Sequence, residues 1–320
     1  MKPRKLFSRP LADEVRRLLE TLPERAPLWQ GTPADARASQ DRLLATRAPG
    51  PSVAHVRDVR IGELPVRLYL PSDAPPAVML YFHGGGWVMG SIADSDAHIR
   101  RMALATGCGI AAVDYRLAPE HPFPAAIDDA LVAWQWLVRD MPDRRVGIGG
   151  ESAGGNIAAG ATIALRDLGL PMPAFQILGY PVLSAGMDTP SYAEQAEGPV
   201  LSAADMRWFW DHYAPDPQDR GDPRASPLAA ADLSGLPPAL IISAACDPLR
   251  DEAAAYAGRL REAGVPVRYR CFEGMVHGFY KMADLLEGGR AALAEASDFV
   301  REQVRSMPDR QQDDAKSALA

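Results

Sequence analysis

The chain has 320 residues, 47% of them hydrophobic and 23% charged, a balance ordinary for a globular protein with a buried core. A net charge of −7 offers no basic face to a nucleic acid, and no apolar run approaches the length of a membrane span. Basic residues open the chain, but Asp13, Glu14, Arg16 and Arg17 interrupt the apolar run that a signal peptide needs. Cys108, Cys246 and Cys271 lie in or beside apolar runs, and are read as buried thiols in a reducing, cytoplasmic compartment.

Taken in chain order, Leu11, Val15, Leu18, Leu19 and Leu22 recur at helical spacing, and a second helix is expected over 33–46. A Pro- and Gly-containing stretch, 48–52, then breaks the pattern. Strand-like runs follow at 53–61, 66–70, 77–83, 109–115, 145–149, 174–180, 239–244 and 267–272. The first two are too close for a helical crossover, so they imply an antiparallel start. The later ones alternate with helical patterns at 97–106, 124–139, 153–168, 251–263 and 290–304. That alternation implies an α/β fold, a mostly parallel eight-stranded sheet flanked by helices.

One insertion interrupts the alternation, and it carries a capping-box-like start, Ser202 with Asp205, followed by Met206, Phe209, Trp210 and Tyr213 on one helical face. Residues 1–50 are expected to form N-terminal cap helices and 187–222 a cap insertion. Residues 51–186 and 223–307 would then form the core, with 308–320 a disordered tail.

The sharpest motif is Gly150-Glu-Ser-Ala-Gly154, a G-x-S-x-G set between a strand and a helix. That context predicts a strained strand-to-helix turn with Ser152 exposed at a helix N-terminus. The overlapping glycines of Gly147-Ile-Gly149 resemble a dinucleotide fingerprint. However, Ser152 stands where its third glycine should be, and the strand is the fifth, not the first.

A second motif, His83-Gly-Gly-Gly86, ends the third strand. The N–H groups of Gly84, Gly85 and Ala153 are expected to form an oxyanion hole, with His83 fixing the loop. An acid and a base should follow Ser152 in that order. Asp247 lies just past a strand end, whereas Asp251 and Glu252 fall in a first helical turn, where they complement the helix dipole. His277 lies in a loop after the last strand, while His55, His98, His121 and His212 have ordinary structural or surface readings. No Cys/His cluster or H-E-x-x-H suggests a metal.

Together these residues resemble the bacterial hormone-sensitive-lipase-like esterases (family IV) of the α/β-hydrolase fold. The likeness is carried by His83-Gly-Gly-Gly-Trp87, the run from Asp114 to Glu120, Gly150-Glu-Ser-Ala-Gly-Gly-Asn156, Asp247-Pro-Leu, His277-Gly-Phe279 and the 206–213 helix. The resemblance implies Ser152, Asp247 and His277 as a triad acting on small esters of short to medium acyl chains. It further implies no cofactor and a homodimer through the last strand. Trp87 and Trp210 are expected to line the substrate pocket. Glu151 departs from the family's usual Asp. The same machinery also fits an amidase or formamidase, a lactonase or a deacetylase, and the fold also serves non-catalytic small-molecule receptors.

Overall fold

The computed structural model describes residues 9–22, 26–45 and 48–305. Among them eight strands form one sheet: β1 (His55–Ile61), β2 (Leu64–Leu70), β3 (Ala77–Phe82), β4 (Gly109–Val113), β5 (Arg145–Glu151), β6 (Gln176–Gly179), β7 (Ala239–Cys246) and β8 (Val267–Val276). Their order is β1-β2-β4-β3-β5-β6-β7-β8. β1 and β2 pair antiparallel, as do β2 and β4, and every other pairing is parallel. All eight expected strands are present.

β3 is buried at every position. Val78, Leu80 and Phe82 join one face's core, while Ala77, Met79 and Tyr81 join the other. A strand covered on both faces must be apolar at both phases of its period of two. The first core takes in helices α4 (Ala125–Asp140), α5 (Ala153–Asp167) and α8 (Arg250–Glu262). The second is closed by α3 (Ile92–Thr106) and α9 (Glu287–Arg305).

Since α3 and α4 cover opposite faces, the chain changes sides between β3 and β5. In a parallel sheet that switch leaves a crevice at the strands' carboxyl ends, where ligands bind.

α3 begins five residues before its expected start. Ser91 supplies the reason: its Oγ accepts the Asp94 N–H at 3.1 Å, an N-cap that adds a turn carrying the buried Ile92 and Ser95. β8 also outruns its expected end. It continues through Gly274, at φ +69°, with a register shift opposite Ala244 and Cys246. Cys108 and Cys246 are buried as expected, but Cys271 is only partly so, because β8 is the sheet's edge.

The N-terminal segment reaches the carboxyl end of the sheet. In front of α1 (Asp13–Thr21), the Ala12 N–H donates to the Gly274 carbonyl at 3.1 Å. The Glu14 carboxylate accepts the N–H groups of Glu287 and Gly288, capping α9. From α2 (Pro33–Leu44), Arg37 donates to the carbonyls of Val88 and Ala118 and to both oxygens of Glu120.

The insertion contains a short α6 (Pro190–Glu194), which sequence periodicity did not reveal, and α7 (Ala203–Tyr213), opened by the expected Ser202–Asp205 capping box. Met206, Phe209, Trp210 and Tyr213 are buried against the first core. The expected tail, 308–320, lies outside the described residues.

One buried carboxyl pins the insertion to the core. Glu252 Oε2 accepts the N–H groups of Leu183 and Ser184 at 2.7 and 2.6 Å, and Oε1 lies 3.2 Å from the Tyr192 hydroxyl. Burial pushes this carboxyl up to about 8, against the pull of its three donors.

Between the ordinary carboxyl range and about 8, the folded state holds a proton that the unfolded state has lost, so rising pH drains stability through that window. Glu252→Gln keeps the contacts and removes the titration. Its urea-unfolding midpoint should match the wild type near pH 5 and exceed it increasingly up to pH 8. Parallel curves across that range would contradict the assignment.

Candidate active site

β5 delivers Ser152 into a turn that only a glycine-flanked sequence can make. A Cβ on Gly154 would lie 2.0 Å from the Phe82 carbonyl oxygen, and one on Gly150 would lie 2.4 Å from the backbone of Gly154. With α5 pressed this close to β3, Ser152 takes φ +57° and ψ −121°, a conformation costing about 1–3 kcal/mol in a non-glycine residue. Its N–H donates to Gly179 O at 2.8 Å, and its carbonyl accepts from Asn156 N at 3.0 Å. The hydroxyl is thereby fixed at the N-terminus of α5.

The side chains converge as their order in the sequence implied. Ser152 Oγ lies 3.0 Å from His277 Nε2, and His277 Nδ1 lies 2.8 Å from Asp247 Oδ2. Asp247 is fully buried, and its second oxygen accepts the Leu249 N–H at 3.0 Å. A buried carboxylate on Nδ1 selects the tautomer with Nδ1–H, leaving Nε2 free to accept the serine proton. Asp251 faces elsewhere, accepting from Ser191 N at 2.8 Å and Arg250 Nε at 2.7 Å.

The oxyanion loop departs from expectation at one residue. The Gly84 N–H is already committed, donating to Glu151 Oε1 at 2.8 Å, so it is not available to a substrate. Among the described residues the N–H groups of Gly85 and Gly86 have no acceptor. Both glycines sit at positive φ, +128° and +59°, and a Cβ on either would strike the Met89 carbonyl or the Phe209 ring. The donor set the geometry favours is therefore Gly85, Gly86 and Ala153.

His83 is structural. Its Nδ1–H donates to Gly84 O at 2.8 Å, its ring stacks on Tyr115 with centroids 4.4 Å apart, and burial holds it below the usual imidazole range.

Trp87 and Trp210 do not line an open pocket. They are 1% and 0% exposed; Trp87 stacks on Tyr213 at 4.1 Å and meets Trp210 at 4.9 Å. Their role is to seat α7 on the oxyanion loop. The Trp87 indole N–H donates to Asn156 Oδ1 at 3.2 Å, and the Asn156 amide donates to Val182 O and Ala225 O at 2.9 and 2.7 Å. Sequence reasoning quoted Asn156 inside a motif without a role; it binds the elbow helix to three loops.

The remaining histidines stand apart. His55 pairs with Asp73, His212 bonds the Trp208 carbonyl, and burial drives His98 down to about 3 between Tyr81 and Tyr280. Among the described residues no cluster of three or more His, Cys, Asp or Glu could hold a metal ion. No helix there is long and apolar enough to cross a membrane.

The chain is similar to several known proteins. Residues 79–281 match a family described as having the α/β-hydrolase fold. The chain is 38% identical over 288 residues to an ethyl acetate hydrolase of Pseudomonas putida, covering 86% of this chain and 85% of that one. It is 36% identical over 297 residues to the esterase LipI of Mycobacterium tuberculosis, covering 86% and 90%. Among solved structures, a hyperthermophilic esterase of the archaeon Pyrobaculum calidifontis superposes with a TM-score of 0.84 at 36% identity, covering 92% of this chain and 98% of that one. A thermostable Pseudomonas putida esterase reaches 0.87 at 33%, covering 93% and 99%. The chain belongs to the α/β-hydrolase fold family, among its hormone-sensitive-lipase-like esterases.

Proposed function

We propose that this protein hydrolyses carboxylic esters of short to medium acyl chains by a two-step serine mechanism. The observation that carries the reading is the continuous chain Ser152–His277–Asp247, set beside N–H groups that have no internal acceptor. His277 takes the Ser152 proton as Oγ attacks the ester carbonyl, and Asp247 stabilises the imidazolium. Gly85, Gly86 and Ala153 receive the oxyanion at the positive end of α5. The alcohol leaves with the proton from His277, and water repeats the sequence on the acyl-enzyme.

The ester preference is supported by relatives named as ester hydrolases. The N-terminal helices with α6 and α7 act in this reading as the cap that bounds the acyl pocket. The cysteines, free of disulfides, suit a cytoplasmic setting, and the outer edge of β8 suits a homodimer.

A panel of acyl esters, amides and lactones tests the function with Ser152→Ala alongside. Ester turnover should dominate, and the variant should lose about 10⁴–10⁶ in kcat with an unchanged melting curve. Faster turnover of amides or lactones would move the assignment to those bonds, and a fully active variant would end the Ser152 role.

Two further outcomes follow from the geometry. Asp247→Asn, which removes the charge behind His277, should cost about 10⁴ in kcat with KM little altered. Asp251→Asn should leave kcat within about tenfold, because that carboxylate serves Arg250 and Ser191. Steady-state kinetics on the pair decide between them, and a larger loss at Asp251 would reverse the assignment. Across an acyl-length series, kcat/KM should peak at short to medium chains; a maximum at palmitoyl length would contradict a bounded pocket.

A further inference from the structure

The buried Glu151 and the partly buried Lys281 form an ion pair that the triad does not use. Glu151 precedes the nucleophile, and Lys281 follows the catalytic histidine by four residues, in the turn Phe279–Met282. Glu151 is 3% exposed, and its Oε1 receives the Gly84 N–H at 2.8 Å and the Lys281 ammonium at 3.2 Å. Lys281 Nζ also donates to the buried Ser95 hydroxyl at 3.1 Å. Lys281 is the single lysine among the described residues. One carboxylate oxygen thus ties together the elbow, the oxyanion loop and the histidine loop.

The pair also has an electrostatic side. Burial pushes the hydroxyls of Tyr81, Tyr115, Tyr180 and Tyr280 upward, and the Glu151 charge adds to each. That charge therefore acts on four buried hydroxyls around it. A bare carboxylate one residue from the nucleophile would repel the oxyanion that Gly85 and Gly86 are to receive.

We propose that Lys281 is a positioning residue for ester hydrolysis: its ammonium anchors and neutralises Glu151, so that Glu151 holds the oxyanion loop through Gly84 without opposing the oxyanion. The inference rests on the esterase reading above.

Lys281→Met keeps the aliphatic stem and deletes the charge. Its kcat on a preferred ester should fall about 10–100-fold, of the order of losing part of an oxyanion donor, with KM within about twofold. In Glu151→Gln/Lys281→Met the amide oxygen still accepts the Gly84 N–H and no charge is left unpaired. The double variant should therefore run at least about tenfold faster than Lys281→Met. A purely structural role would leave the double variant no better than the single.

Stoichiometric labelling of Ser152 by a fluorophosphonate counts intact sites, so unfolded protein is not read as slow protein. If Lys281→Met does not fold, the double variant decides: kcat within about tenfold of wild type supports the proposal, and a larger loss overturns it. Full kcat in Lys281→Met, or no recovery in the double variant, overturns it as well. Wild-type protein that labels at Ser152 yet cleaves no ester would instead bring down the esterase reading itself.

Discussion

The structure depends on one close approach, between the first turn of α5 and the end of β3. No side chain fits there, since a Cβ at Gly154 would overlap the Phe82 carbonyl. Because the helix cannot withdraw without opening the core at Ala153 and Ile157, the strain falls on Ser152, whose backbone takes a positive φ. The same approach brings the Ala153 N–H beside the loop that leaves β3. The Ser152 backbone, the start of α5 and the loop that leaves β3 are therefore set by one steric contact.

Around that contact the loops are held by buried side chains that satisfy another loop's backbone. Asn156 serves Val182 and Ala225, Glu252 serves Leu183 and Ser184, Glu151 serves Gly84, and Asp247 serves Leu249. Buried loop N–H and carbonyl groups need such partners because they lack a strand or helix ladder. Each pairing links segments whose separation in sequence gives no hint of contact, except Asp247, which acts locally.

This division explains what could be read from the sequence. The eight strands were legible because a covered parallel sheet demands apolar runs, and Ser152, Asp247 and His277 were legible because each follows such a run. The start of α3 was missed although Ser91 and Asp94 carry a local cap, since apolar periodicity begins only later. The occupation of Gly84 was invisible because its acceptor is the Glu151 side chain, 67 residues away. Trp87 and Trp210 were misplaced for a related reason. An aromatic residue beside a glycine loop reads the same whether it faces a cavity or underlies the loop, and only packing on Tyr213 separates the two.

The contact between α7 and the oxyanion loop has a consequence for how such a protein can change its substrate. The Phe209 ring occupies the space that a side chain at Gly86 would need, so α7 packs directly against the loop that carries the Gly86 N–H. In the proposed mechanism a change in α7 would therefore shift an oxyanion donor as well, coupling selectivity drawn from this helix to rate. The stretch ahead of it is held elsewhere, Ser191 bonding Pro248 O and Asp251 and Tyr192 reaching the buried Glu252. A change of residue there would press on the segment that follows Asp247, and so on the acid end of the proposed triad.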